Sequence, residues 1–192
     1  MKEKQQTVTK FEDFIKDMDS AFDTGITLYL GDANKRTILE IDETLNKIKP
    51  KDKDYRNTVV FNNVTFRSSA RLKNTKIFEI YCDYKFANCR FETNMEFRSE
   101  RTLVMENCTT DNDIEIYGGN PTLKDCDFRK SCIKFKSCNN IIAGDSKFFS
   151  CRFDGFCEAY VTVQRCEIQE DVYAEKSNFS SFNFYGGKLK TF

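Results

Sequence analysis

The sequence predicts a mainly β chain wound into stacked coils, and three observations carry that prediction. A six-residue pattern of apolar, any, any, small, any, apolar recurs at a near-constant step. A second apolar column recurs with nearly the same step, and in-out-in alternation accompanies its first three members. The frame is one domain of ordinary size: 192 residues, 40% apolar and 31% charged, which argues against wholesale disorder.

The first column reads Phe61-Asn-Asn-Val64-Thr-Phe66, Phe86-Ala-Asn-Cys89-Arg-Phe91, Met105-Glu-Asn-Cys108-Thr-Thr110 and Leu123-Lys-Asp-Cys126-Asp-Phe128. It continues as Ala143-Gly-Asp-Ser146-Lys-Phe148, Val163-Gln-Arg-Cys166-Glu-Ile168 and Phe184-Tyr-Gly-Gly187-Lys-Leu189. From Cys89 onward the small residue advances by 19, 18, 20, 20 and 21 positions. The second column is Met95, Ile114, Ile133, Phe153 and Val172, with Phe97, Ile116 and Phe135 beside its first three members. A period near twenty is too short for a helix-turn-helix repeat. Each coil must stack its small and aromatic residues on those of the next.

These F-x-N-C-x-F and L-x-D-C-x-F segments make 57–192 resemble a single-stranded, right-handed parallel β-helix of the irregular pectin-lyase-like kind, with about six to seven coils. A pentapeptide-repeat helix is the rival, because Leu123, Phe128, Ile133, Cys138, Ala143, Phe148 and Phe153 recur at every fifth position. Glu158, Asn178, Lys136 and Lys176 spoil the fourth side that form requires. The position after the small residue reads Arg90, Thr109, Asp127, Lys147, Glu167 and Lys188, a solvated face of alternating sign from Asp127 onward. Stacking also predicts thiol neighbours: Cys89, Cys108 and Cys126 in one column, and the pairs Cys132/Cys151 and Cys138/Cys157.

Residues 1–56 are expected to form an α-helical cap over the first coil. Thr9-Lys-Phe-Glu12 has the form of a capping box, followed by Phe11, Phe14, Ile15, Met18 and Phe22 on one helical face. Gly25 to Gly31 alternates like a strand. A second helix is expected from Ala33 to Lys49, with Asp32 as cap and Ile38, Ile41, Leu45 and Ile48 as its stripe.

Composition limits the chemistry. Lys plus Arg and Asp plus Glu both number 30, so no basic surplus points to nucleic acid. The absence of His removes imidazole catalysis and imidazole ligands, and there is no CxxC pair to start a zinc site. The nine Cys lie within apolar stretches and read as reduced, buried thiols. The polar, mixed-charge opening stretch lacks a signal-peptide core, and no apolar run approaches a membrane span. The chain is therefore expected in the cytoplasm, or in the host cytoplasm or virion if its source is viral.

Pectin-lyase-like enzymes cleave polysaccharides with carboxylates gathered on one face, often with calcium. The local candidate is Asp111, Asp113 and Glu115, but the next coil offers Lys130 to Cys132 and Lys134 in their place. No paired-carboxyl cleft and no calcium cage follow. Tyr117-Gly-Gly119 and Tyr185-Gly-Gly187 read as tight corners, not as phosphate loops. No catalytic, cofactor or metal residue is assigned.

The leading expectation is a non-catalytic β-helix that docks within a larger assembly, such as a bacteriophage or viral particle. A polysaccharide-binding or polysaccharide-cleaving protein is the alternative, and a pentapeptide-type DNA-mimic inhibitor the second. Docking is expected by self-association or with a protein partner at the C-terminal end, through Phe182, Phe184, Tyr185, Leu189 and Phe192.

Overall fold

A computed structural model describes residues 4–6, 12–14, 16–17, 27–41, 58–68, 76–79, 83–99, 101–155, 157–175 and 178–189. They form a parallel β-solenoid. One sheet has nine strands in the spatial order Lys4–Gln6, Leu28–Leu30, Thr58–Asn62, Asp83–Ala87, Thr102–Glu106, Asn120–Lys124, Asn140–Gly144, Cys157–Gln164 and Asn178–Tyr185. Every neighbouring pair along this path is parallel.

The other sheet bends along its length. On the near side of the bend lie Thr37–Ile41, Val64–Ser68, Arg90–Phe91, Thr109–Thr110, Glu167–Ile168 and Lys188–Leu189. Beyond it lie Lys76–Glu79, Met95–Arg98, Ile114–Tyr117 and Val172–Glu175. Asp127–Lys136 and Lys147–Asp154 run through the bend and join both parts. Each coil therefore has three faces: the flat sheet, the near part and the far part of the bent sheet.

Alternation along the strands fills the interior. In Met95–Arg98 and Ile114–Tyr117 the first and third side chains are buried, and the second and fourth are half-buried or exposed. The columns meet in register: Met105 opposes Phe86 and Leu123, and Thr109 opposes Arg90 and Asp127. Phe61 and Phe86 stack at 4.9 Å, Phe66 and Phe91 at 5.2 Å, and Phe135 and Phe153 at 5.3 Å. This aromatic stack accounts for the Phe-rich composition: rings recurring once per coil lie over one another.

The corner between the flat sheet and the near face is made by one left-handed residue per coil. Asn63, Asn88, Asn107, Asp125, Asp145 and Arg165 have φ between 50° and 57°, and Gly186 has φ 49°. Asn and Asp tolerate this region better than other side-chain-bearing residues. Side chains tie neighbouring corners together. Asn88 Nδ2 donates to Asn62 Oδ1 at 3.2 Å, and Asn107 Nδ2 donates to Asn88 Oδ1 at 2.7 Å. The Asn or Asp of the F-x-N-C and L-x-D-C motifs is thus the residue that turns the chain.

Two expectations are corrected. The described residues do not support an N-terminal α-helical cap: among them, helical geometry is confined to 12–14 and 16–17. Phe14 from that turn is buried and packs against Phe61 at 5.5 Å. Where the second helix was expected, Thr37–Ile41 is a strand paired with Val64–Ser68. Thr37, Leu39 and Ile41 point inward, whereas Ile38 is 43% exposed. The period-two placement of Thr37, Leu39 and Ile41 and the sheet partner outweigh the helical spacing of Ile38 and Ile41. Asp32 caps a turn instead, its Oδ1 accepting the Asn34 amide at 2.8 Å. The remainder of both expected helices, at 9–11, 18–22 and 42–49, lies outside the described residues.

The second correction concerns register. The residue opposite Ile133 and Val172 is Cys151, and Phe153 instead opposes Phe135 and Ala174. A register shift between Phe128 and Cys132 produces the offset. It also separates the expected Cys132/Cys151 pair: Cys132 opposes Ser150 and is half-buried, while Cys151 is buried.

Candidate functional site

The C-terminal end of the solenoid is built by three terminal strands, Val172–Glu175, Asn178–Tyr185 and Lys188–Leu189. Each pairs on one side only among the described residues. On the flat sheet, Phe182 opposes Val161, Phe184 opposes Val163 and Tyr185 opposes Gln164. Val161 and Val163 are buried, so Phe182 and Phe184 are core-facing residues of the last coil. Phe184 is partly buried against the core, yet Phe182 remains 42% exposed. Phe182 leans on Phe153 at 5.6 Å and on Phe179 at 5.5 Å, both edge to face.

Of the other expected docking residues, Tyr185 is 55% exposed on the outer side of the flat sheet, beside the end and not part of its apolar floor. Leu189 pairs in register with Ile168. Phe192 lies outside the described residues. Below the last coil is an apolar cavity of ≈ 40 Å³, reaching from Ala143 and Cys151 to Phe182 and Phe184.

The acidic corner is committed to structure. Asp111 lies 3.6 Å from Arg90 Nη2 and 3.5 Å from Lys130 Nζ. Asp113 Oδ1 accepts the Cys132 amide at 3.0 Å, and the Asp113 amide donates to Asn94 Oδ1 at 3.1 Å. Glu115 receives Lys134 Nζ at 2.7 Å and Lys136 Nζ at 2.8 Å. Burial pushes the Glu115 carboxyl up, but the two lysines outweigh it and hold the group below the usual carboxylate range. Lys136 also donates to Tyr117 Oη at 2.7 Å. The three carboxylates thus sit in three separate contacts and do not face one another across a cleft.

An open groove of ≈ 600 Å³ runs beside this corner, lined in part by Arg90, Asp111, Asp127, Arg129 and Lys130. Arg129 grips Asp127 through Nε at 2.9 Å and Nη2 at 2.6 Å, and Arg90 Nε also reaches Glu92 at 3.2 Å. Its cations each stand beside a carboxylate, which leaves no concentrated charge for an anionic ligand.

The seven described cysteines are free thiols. Cys89, Cys108 and Cys126 stack as expected. Each donates to a carbonyl of the preceding coil, on Phe61, Phe86 and Met105 respectively, at 3.4–3.6 Å. Hydrogen bonding with Cys108, then burial, pushes the Cys126 thiol up, and burial raises Cys138 to about 12. Such thiols are poor nucleophiles. The Cys157 side chain of the expected Cys138/Cys157 pair lies outside the described residues. No cluster of three metal-ligating side chains occurs among the described residues, and no described helix is long and apolar enough to cross a membrane.

Set against family models, curated proteins and solved structures, the chain matches none of them.

Proposed function

We propose that this chain is a non-catalytic docking element of a larger assembly, a right-handed pectin-lyase-like β-helix that joins a protein partner through its C-terminal coil. The observation that carries this reading is Phe182. It is a core-type side chain, 42% exposed, on an eight-residue strand with one described neighbour. Apolar surface beside an open strand edge favours another chain, because the partner satisfies backbone groups and covers the rings together. Three faces per coil favour the pectin-lyase-like form over the square pentapeptide form.

The polysaccharide-cleaving alternative has less support. Asp111, Asp113 and Glu115 are each held by a structural contact, so an acid and a nucleophile are not presented together. The DNA-mimic alternative lacks the acidic surplus it needs.

Chemical cross-linking of the protein in its native source tests the reading. Cross-links to a protein partner should concentrate on residues 172–189 and disappear in Phe182→Lys. Partner cross-links that map to other faces and survive that change refute it.

A further inference from the structure

Resting on that docking reading, we propose that the partner is a second copy of this chain, joined tail to tail about a two-fold axis through Phe182. The terminal strand is neutral throughout. Its eight residues, NFSSFNFY, contain no charge and no proline, the usual devices that keep an open edge from pairing. Antiparallel pairing of this strand with its own copy keeps the core side facing the core.

With the axis through Phe182, that ring opposes Phe182 of the second copy, and Ser181 opposes Asn183. The strand is irregular just upstream, where Ala159 pairs with Phe179 and Tyr160 with Ser181, skipping Ser180. The skip brings Phe179 level with Phe184 of the second copy. The inner row then matches ring to ring and the outer row hydroxyl to amide. Ser181 and Asn183 already make that contact within one chain, at 3.3 Å.

Charge supplies a second argument. The same rotation exchanges the near and far faces, so Lys188 of one copy lies along residues 169–175 of the other. That stretch contains Glu170 and Asp171 and no Lys or Arg, its third acid, Glu175, being already paired with Arg152, and the complementary contact occurs twice. The opposite edge of the flat sheet is the three-residue strand Lys4–Gln6, and Phe14 is packed near that end.

Sedimentation of the full chain over a concentration series, with outward-facing variants, tests the proposal. Ser181→Lys combined with Asn183→Lys sets lysine against lysine twice and should weaken the dimer about tenfold, while Ser181→Lys with Asn183→Glu should restore it. Register is read by mixing S181C with N183C protein under mild oxidation. The mixture should form an inter-chain disulfide beyond that of either variant alone, because only the 181–183 pair is directly opposed. A dimer indifferent to the charge swap, or equal cross-linking in all three samples, overturns the two-fold. A monomer at every concentration also overturns it, and amide exchange then separates the two readings. Fast exchange along Asn178–Tyr185 leaves the edge available to a different protein, so docking stands. Slow exchange in a monomer means the chain covers its own edge, and both readings fall.

Discussion

Ala143 sits in a core column between Leu123 and Val163, and all three are buried. It is the smallest member of that column among its neighbours, and it borders the ≈ 40 Å³ apolar cavity under the last coil. Residual cavity volume costs ~24 cal/mol per Å³, which puts the penalty for this void near 1 kcal/mol. Ala143→Val adds two methyl groups at a strand position, where β-branching is favoured. Their transfer out of water has an upper value of roughly 1.6 kcal/mol, from which any strain must be subtracted. The expected gain is about 1 kcal/mol, or roughly 2–4 °C in Tm for a chain of this size. Val163→Ala, next to Ala143 in the same column and also lining the void, should enlarge it and lose about 2 kcal/mol. Urea titration and thermal melts measure both. A loss of stability in Ala143→Val would show that the space is already filled or that the column is tighter than described, and the packing argument would fail.

Three further outcomes follow from the same geometry. Asn107→Ala should cost about 1–2 kcal/mol in urea titration, by straining a left-handed corner and removing the bond to Asn88, while Asn107→Gly recovers part of that loss. Glu115→Gln should cost ~1 kcal/mol at pH 7. The folded Glu115 carboxyl titrates below its ordinary value, so the wild-type advantage is present above that value and is lost as pH falls through the folded one. Melts at pH 7 and pH 3 should therefore differ for the wild type and converge between the two proteins at low pH. Among the described cysteines, Cys132 should be alkylated first in native protein, well before Cys108, Cys126 and Cys151. Peptide mapping that finds Cys126 modified as fast as Cys132 would contradict the buried thiol column.

The coil architecture was legible because it rests on period. Cys89, Cys108, Cys126, Ser146 and Cys166 share one buried column, and Arg90, Thr109, Asp127, Lys147 and Glu167 share one outer column, as their spacing implies. Period fails where two periods coincide. Ile38 and Ile41 fit a helical stripe, but Thr37, Leu39 and Ile41 fit a strand equally well, and only the partner Val64–Ser68 decides between them. The Phe153 assignment failed for a related reason. An 18-residue step from Ile133 to Cys151 places a small thiol in a column otherwise held by large residues, and fixed spacing selects the nearby Phe instead. The corner residues were visible as Asn or Asp before the small position, but their role follows from backbone conformation, which the apolar pattern does not encode. At the candidate site the structure puts Phe182 and Phe184 on the inner side, opposite Val161 and Val163. Tyr185 was grouped with them because proximity in sequence hides the alternation that sends it outward.

Small-angle scattering over a concentration series tests the central claim most directly. Nine parallel strands stacked at about 4.8 Å give the flat sheet a length of about 38 Å. Tail-to-tail association should roughly double the long dimension as concentration rises, while the cross-sectional radius stays constant. Growth in cross-section at constant length, or no growth at any concentration, would contradict a solenoid that associates with its own copy through its C-terminal edge.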